Sequence, residues 1–432
     1  MMRDNSKNNS LCQAGVALLL IYSFFIGLDI SLFKNPISLT LLLGLALFLI
    51  LCVTGIPTSN VNSPVVLSSI CVAVILLNRN HRLANGVYKT EIQICIMFFV
   101  FFLLCTTSCW HKLLISFLVF FGLFYSVSTI VLFFIPQLYL EVVVPLFGGT
   151  DAMESMIKAV NSGLAAGFSA HYSTTAIYLA TTATVPLSVF IKKNIIVKRK
   201  KLYILLSVLI IAAVLLTGKR ALTIFVLISV LVCYYVMNRQ KSVGKIFKIL
   251  IACAILFILI LIASQFIPAL QNVLARFEST IDNGDITSGR SKLIDLCFDM
   301  FKSNPIIGSG WGKFTFANSL GFLNGHNVYV QLIGENGILL SIPFFMFFVV
   351  NLTRAIKTAK SISDVTDASV NTNLSIIYSV FIQVLFLLYC FTGNPLYDYQ
   401  MLCPYILGCA ISEYYYREFF SFQNNKQRKI YT

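Results

Sequence analysis

The sequence predicts an all-α polytopic membrane protein with about 12 transmembrane helices. Of the 432 residues, 58% are hydrophobic and only 11% are charged, and long apolar stretches recur from Leu11 to Tyr416. A typical soluble domain has about a quarter of its residues charged, whereas each helix that crosses a bilayer takes about 20 mainly apolar residues. A transmembrane barrel would show short segments of alternating polarity instead, and the sequence has none.

Twelve apolar segments are expected to cross the membrane, and residues 1–432 are treated as a single membrane domain. In chain order the expected spans are residues 11–33, 37–55, 62–78, 91–108, 112–136, 173–191, 202–217, 219–237, 246–267, 327–350, 374–391 and 399–416. The first segment is not expected to be a signal peptide, because no small-residue cleavage pattern follows it and further spans do.

Basic residues in the loops predict the orientation, because Lys and Arg accumulate in cytoplasmic loops. Four basic segments fall on the same side, namely residues 192–201, 238–248, 352–360 and 417–429. With twelve spans, both termini are then cytoplasmic. The loop at 79–89 disagrees, since its basic residues come out external, and this leaves the topology of residues 37–90 open. The net charge of +15 is mostly a topology signal, and nucleic acid is not an expected partner.

Two segments are longer than simple connectors, and both come out on the external side. The smaller one, residues 137–172, contains a short helical stretch near 151–160. The larger one, residues 268–326, lies between the ninth and tenth spans. Apolar residues at helical spacing predict two helices in it, over 270–281 and 293–301, with turn residues between them. These helices are expected to lie on the membrane surface or to cover the membrane body.

The glycine-rich stretch from Gly308 to Lys313 raises the question of nucleotide binding. A Walker A loop has four residues between its outer glycines and a Ser or Thr after the lysine. Here one residue is missing between the glycines, and Phe314 occupies the hydroxyl position. We therefore expect a compact loop that brings His326 to the start of the tenth span. Spacings typical of zinc ligands do not occur in the sequence either, so neither a metal nor a cofactor is expected.

Three basic residues occur at the external start of a predicted helix. Arg220 begins the eighth span, Arg290 begins the second loop helix, and His326 begins the tenth span. A cation opposes the helix macrodipole at that end, and a bound anion would offset this cost because helix N-termini attract anions. Two arginines favour a phosphate or diphosphate, and a neutral histidine can take a proton from a hydroxyl. The structural alternatives are snorkelling to lipid phosphates and, for His326, capping of the span.

Five other residues are candidate substrate-binding residues, each with a structural alternative. They are Lys219, Gly310, Trp311, Asn327 and His171. Lys219 can snorkel, and Asn327 and His171 can cap the helices that follow them. The glycine and the neighbouring tryptophan can instead shape the loop. Glu335 and Gly337, inside the tenth span, are expected to pair and to pack closely rather than to catalyse.

Three stretches resemble the membrane O-antigen ligase and bacterial surface-polysaccharide polymerase family. They are LTGKRALTIFVLISVLV at 216–232, SGRSKLIDLCFDMFKSNPIIGSGWGKF at 288–314 and GHNVYVQLIGENGILLSIPFF at 325–345. The family pattern has an arginine after a small-residue turn, an Arg-led helix before a glycine-rich loop, and a His-Asn pair at the start of the next span. Lys219 stands where the family commonly has serine, and Ile294 stands near the place of a common tryptophan.

The resemblance implies a metal-independent glycosyltransferase in the bacterial cytoplasmic membrane, with its site on the periplasmic or external side. The implied donor is an undecaprenyl-diphosphate-linked glycan, and the acceptor is a glycan or lipid-linked hydroxyl; polysaccharide-assembly proteins are further candidate partners. By motif position, Arg220 and Arg290 would hold the diphosphate and His326 would activate the acceptor. Polymerisation of O-antigen or capsular repeat units is the favoured activity. The alternatives are ligation of a finished glycan to lipid A-core, as in lipopolysaccharide, and, from another class, a flippase of lipid-linked sugars.

Overall fold

The computed structural model of the chain describes residues 6–25, 36–54, 63–79, 85–147, 150–192, 200–238, 290–317, 324–363 and 369–431. Within these ranges the chain is helical, and its only β-feature is an isolated bridge between Arg79 and Trp311. The all-α class predicted from the apolar stretches is thereby confirmed for the part of the chain that the structure describes.

The helices follow the order of the apolar stretches. In chain order they are α1 (Ser6–Phe25), α2 (Pro36–Thr54), α3 (Ser63–Leu77), α4 (Asn85–Leu104), α5 (His111–Phe134), α6 (Thr150–Asn161), α7 (Tyr172–Thr182), α8 (Thr184–Ile191), α9 (Lys200–Leu216), α10 (Arg220–Met237), α11 (Ser291–Ser303), α12 (Lys313–Ala317), α13 (Val328–Ser363), α14 (Val370–Tyr389) and α15 (Tyr399–Tyr431). Between α5 and α6, residues 136–147 form an irregular helical segment that includes a π-helical turn over Tyr139–Val143.

Every predicted span except one coincides with a helix or, at residues 173–191, with the bent pair α7 and α8. The exception, residues 246–267, lies outside the described residues, as does the predicted loop helix over 270–281. Among the described helices, α5, α10, α13 and α14 are long and apolar enough to cross a membrane. The pair α7 and α8, bent by 41°, adds a fifth if it forms one broken span. These helices indicate an integral membrane protein, while the count of twelve spans stays a prediction.

The chain forms two compact units, which are described separately. Unit 1 comprises Met1–Ser23, Thr40–Phe117 and Gly289–Thr432, and unit 2 comprises Phe24–Leu39 and Leu118–Ser288. In unit 1, α13, α14 and α15 pack against one another, α4 packs against α15, and both α3 and α11 pack against α13. The second predicted loop helix therefore exists as α11 and covers the side of a long apolar helix.

Helix α14 forms the centre of unit 1, because 83% of its apolar window is buried, against 33% for α13. Small and polar side chains let it approach α15 closely. Ser379 Oγ donates to the carbonyl of Gly408 at 2.6 Å, and Gln383 Nε2 donates to Ser412 Oγ at 3.1 Å. A Cβ on Gly408 would lie 2.3 Å from Ile382 Cγ2. Such packing is typical of membrane helices, where small residues and interhelical hydrogen bonds drive association.

A buried carboxylate joins α13 and α15 at the end of α13 that is remote from His326. Glu413 is fully buried and pairs with Arg354 of α13 and with Arg417 of α15, whose Nε lies 2.7 Å from Glu413 Oε1. Arg354 also donates to Ser63 Oγ, at the start of α3, at 2.9 Å. A buried charge of this kind is tolerated because two cations and their hydrogen bonds compensate it.

In unit 2, α7 and α8 pack against α9 and α10. The predicted smaller external loop contains α6, the helical stretch expected near 151–160, and most of the irregular segment. Their apolar side chains form a small core that includes Tyr139, Phe147 and Met156. The Tyr139 hydroxyl donates to the carbonyl of Ser169 at 3.1 Å, which ties the irregular segment to the chain before α7.

Candidate active site

The turn at residues 390–398, between α14 and α15, contacts both candidate catalytic residues of unit 1. Arg290 Nη1 donates to the carbonyl of Thr392 at 2.8 Å, and the side-chain amide of Asn394 lies 3.3 Å from His326 Nδ1. Two residues of chain span at most about 7 Å, so the turn holds the guanidinium and the imidazole in one region. The turn therefore contacts both the cation and the candidate base of unit 1.

Arg290 occupies the N-cap position of α11, where the sequence predicts it. Its side chain makes no capping bond, and its carbonyl accepts from the N–H groups of Leu293 and Ile294. The apolar face of α11 packs on α13 through a cluster that includes Leu293 and Cys297. A guanidinium has five N–H donors, so the bond to Thr392 fixes its plane and leaves donors for an anionic ligand.

His326 precedes α13 in an uncommon backbone conformation. Its φ is +54°, and no other non-glycine residue in the described ranges has a positive φ. Positive φ is uncommon for residues that carry a side chain, and such outliers cluster at functional sites. Asn327 provides the cap of α13, because its Oδ1 accepts from the N–H of Val330 at 3.2 Å. The capping alternative thus applies to Asn327, and the His326 side chain contacts Asn394.

The glycine-rich loop at 308–312 packs on a break in α13. At Gly337 the helix leaves helical geometry, with φ 62° and ψ −175°. The loop satisfies a carbonyl next to this break, since the N–H of Gly310 donates to the carbonyl of Glu335 at 2.8 Å. A Cβ on Gly308 would lie 2.2 Å from the same carbonyl oxygen, so the contact requires glycine. The loop therefore packs directly on α13, as expected for a compact loop.

Trp311 belongs to the core of the same junction, with 1% of its surface exposed. Its ring stacks on Phe344 at a centroid distance of 5.7 Å and lies 5.6 Å from the ring of Tyr397. The N–H of Trp311 donates to the carbonyl of Asn78 at 2.7 Å. Gly310 and Trp311 thus pack within this junction, and their assignment as substrate-binding residues stays a prediction.

Glu335 pairs within the protein, as expected for a carboxylate inside a span. Its Oε1 accepts from the N–H of Phe314 at 3.2 Å and from Gln331 Nε2 at 3.4 Å, and its Oε2 accepts from the Tyr397 hydroxyl at 3.4 Å. Burial, and next the Glu335 carboxylate, raise the pKa of Tyr397 well above its usual range, so the phenol stays protonated. Glu335 thus links α12 and α13 to the turn at 390–398.

His171 and Lys219 of unit 2 meet at one aromatic ring. His171 Nδ1 accepts from the N–H of Ser173 at 3.1 Å and caps α7, which was the structural alternative. Burial, and next the charge of Lys219, lower the pKa of His171 to about 4, so the ring is neutral. Lys219 Nζ lies 5.1 Å from the centre of the Tyr172 ring, a cation–π contact, and the His171 ring stacks on the same tyrosine.

Arg220 is the first residue of α10, as predicted. It follows a tight turn in which Gly218 has a φ of 68°, and Lys219 occupies the N-cap position without a side-chain capping bond. Arg220 belongs to unit 2, whereas Arg290 and His326 belong to unit 1. The meeting of all three residues at one anion stays a prediction.

The fold and these contacts define a helical integral membrane protein with basic residues at the starts of its helices. A family model described as O-antigen ligase matches residues 205–345. The resemblance seen in the sequence is thereby confirmed: this segment is similar to the O-antigen ligase family, and the match supports a membrane enzyme that transfers glycans. No curated protein matches the chain. The matched segment contains Arg220, Arg290 and His326 and ends before the turn at 390–398.

Proposed function

We propose that this protein transfers a glycan from an undecaprenyl-diphosphate-linked donor to an acceptor hydroxyl at the outer face of the bacterial cytoplasmic membrane. The observation that carries the proposal is the common support of Arg290 and His326 by the turn at 390–398. A guanidinium binds phosphate oxygens, and an imidazole can take a proton from a hydroxyl. These are the two groups that the transfer needs, and the O-antigen ligase match supports the same class of reaction.

In the proposed reaction, His326 takes the proton of the acceptor hydroxyl while the hydroxyl oxygen attacks the anomeric carbon of the donor sugar. A glycosidic C–O bond forms, the C–O bond to the diphosphate breaks, and the electron pair leaves with undecaprenyl diphosphate. Negative charge develops on the leaving oxygen, and cations held beside it stabilise the transition state. The proton then passes from His326 to solvent, which restores the neutral imidazole.

Arg290 and Arg220 are the residues that we assign to the diphosphate. The bond from Arg290 to Thr392 orients the guanidinium plane, and a planar fork matches two phosphate oxygens better than an ammonium does. Arg220 stands at the start of α10, where the helix dipole adds partial positive charge. The two arginines supply charge that metal ions supply in many phosphate-binding sites, so the mechanism that we propose is metal-independent.

Polymerisation of surface-polysaccharide repeat units is the activity that we favour, and ligation of a finished glycan to lipid A-core is the second candidate. Both share the donor chemistry, so the acceptor distinguishes them. A flippase of lipid-linked sugars is the rival from another class. Transporters place their polar groups near the bilayer midplane, whereas Arg220, Arg290 and His326 stand at or before the starts of helices.

The test uses the purified full chain in lipid nanodiscs with undecaprenyl-diphosphate repeat units as donor. We expect longer glycans and released undecaprenyl diphosphate, and we expect both to stop with His326→Ala. Arg290→Lys keeps the charge without the planar fork, so kcat should fall by roughly tenfold or more. Lys302→Ala is the control, because Lys302 lies on the same helix and its side chain is 74% exposed, so activity should be retained.

The acceptor and the rival class are tested with the same preparation. Lipid A-core added as a second acceptor receives the glycan if the protein is a ligase, and elongation of the donor glycan is then not observed. Movement of a labelled donor across a vesicle membrane without any new glycosidic bond would indicate a flippase. Full transfer activity of His326→Ala would contradict the assignment of the base.

A further inference from the structure

We propose that Asn394 is a positioning residue that sets the tautomer of His326, a role that rests on the proposed function. Asn394 is 9% exposed, and its Nδ2 lies 3.3 Å from His326 Nδ1. The other amide atom, Oδ1, is buried and has no hydrogen-bond partner among the described residues. Within the part of the chain that the structure describes, the polar contact of this side chain is therefore with the candidate base.

The hydrogen bonds that shape the turn use the backbone of Asn394 and not its side chain. The carbonyl of Asn394 accepts from the N–H groups of Tyr397 and Asp398, each at 2.9 Å. Pro395 follows, and a residue before proline is kept out of the helical region by its backbone. Replacing the amide leaves these features in place. The side-chain amide contacts His326, so we assign its role to that histidine.

The orientation of the Asn394 amide determines which nitrogen of a neutral imidazole carries the proton. When Nδ2 donates to His326 Nδ1, that nitrogen accepts and the proton is on Nε2. When the amide is rotated by half a turn, Oδ1 accepts from Nδ1–H and the lone pair is on Nε2. The first orientation leaves Oδ1 without a partner among the described residues, so the amide contact alone does not select it.

The proposed reaction selects the second orientation. Asn394 faces Nδ1, so we assign the acceptor hydroxyl to Nε2, and a general base needs a lone pair at that nitrogen. Oδ1 opposite Nδ1–H provides the lone pair and holds the plane of the ring. The backbone of His326 has a φ of +54°, and the amide contact adds a restriction on the rotation of the ring.

Nitrogen NMR of the full chain, labelled with ¹⁵N-histidine in nanodiscs, tests the tautomer directly. The chain has four histidines, and the signals lost in His326→Gln assign His326. We expect a protonated Nδ1 in the wild type, a mixture of tautomers in Asn394→Ala, and a protonated Nδ1 again in Asn394→Asp, because a carboxylate only accepts. A protonated Nε2 in the wild type, or an unchanged tautomer in Asn394→Ala, would overturn the proposal.

Transfer kinetics give the second measurement. Asn394→Ala should lower kcat by about 10–100-fold, because it removes part of the contribution of the general base. The KM for the donor should change by less than about twofold, since the amide does not bind the donor. Asn394→Asp should recover most of this loss, and equal losses in the two variants would overturn the proposal. Full activity of His326→Ala would instead defeat the proposed function. The NMR spectra do not depend on turnover, so the two failures are distinguishable.

Discussion

Replacement of Gly308 by alanine should destabilise unit 1 by disrupting the contact between the glycine-rich loop and the break in α13. Gly308 has a φ of 76°, where a side chain costs about 1–2 kcal/mol. The new Cβ would lie 2.2 Å from the Glu335 carbonyl oxygen and 2.4 Å from the Gly337 nitrogen. Overpacking costs about 1–3 kcal/mol, and backbone atoms cannot rotate away. Together these give a loss of about 2–5 kcal/mol in the free energy of unfolding.

Thermal unfolding of the purified protein in detergent, followed by tryptophan fluorescence, measures this loss. The chain has two tryptophans, and Trp311 lies in the loop itself, so the signal reports on the perturbed junction. Gly44→Ala is the matched control: a Cβ there has nothing within 4 Å, and alanine is favoured over glycine in a helix by about 1 kcal/mol. We expect Gly308→Ala to melt several degrees below the wild type and Gly44→Ala to melt at or above it. Equal melting of the two variants would refute the docking of the loop on Glu335.

Three further predictions concern stability. Glu413→Gln should lower the free energy of unfolding by about 3 kcal/mol, since two arginines lose their buried counter-charge. The melting temperature measures this loss. The control is Glu418→Gln, at an exposed position, which should leave the melting temperature nearly unchanged. The folded protein lowers the pKa of His171 from 6.5 to about 4, so the stability from its neutral ring is complete above about pH 6.5 and is lost as the pH falls towards 4. His171→Asn keeps a good helix cap and should lose this pH dependence in unfolding titrations; an unchanged pH dependence would contradict the argument. Tyr397→Phe removes a donor to the Glu335 carboxylate and should cost about 1–2 kcal/mol, whereas unchanged melting would show that this hydrogen bond contributes nothing.

The apolar stretches predict the described helices well, and each of the two deviations has a physical cause. Residues 173–191 read as one span, but the helix bends by 41° between Thr182 and Thr184. Pro186 explains the bend, because a proline ring clashes with the carbonyl four residues earlier, here that of Thr182. The tenth span is interrupted at Gly337, a glycine expected only to pack closely. Its positive φ depends on the docked loop, and no helical periodicity encodes that contact.

The sequence predicts a residue of the candidate site only where that residue differs in chemistry from its neighbours in the sequence. Arg290 and His326 stand out because a cation at the start of a helix opposes the helix macrodipole. Thr392 and Asn394 do not stand out, and they meet these partners across 102 and 68 residues of chain. The available signal was the Gly-Asn-Pro sequence at 393–395, which marks a turn but not its neighbours. Local patterns predict elements, whereas contacts at such separations arise from the packing of α11, α13 and α14.

The turn at 390–398 lies outside the segment that matches the family model, yet it supports the residues inside it. Its Thr392 carbonyl holds Arg290, its Asn394 amide faces His326, and its Cys390 carbonyl accepts from the first N–H of α13 at 2.9 Å. In the proposed reaction, the separation of leaving group and acceptor hydroxyl follows from the separation of the guanidinium and the imidazole. A single short element contacts the Arg290 side chain, the His326 side chain and the start of α13, so one turn supports all three. If the proposed reaction takes place here, this common support preorganises the two groups in the way that lowers a barrier between reacting groups.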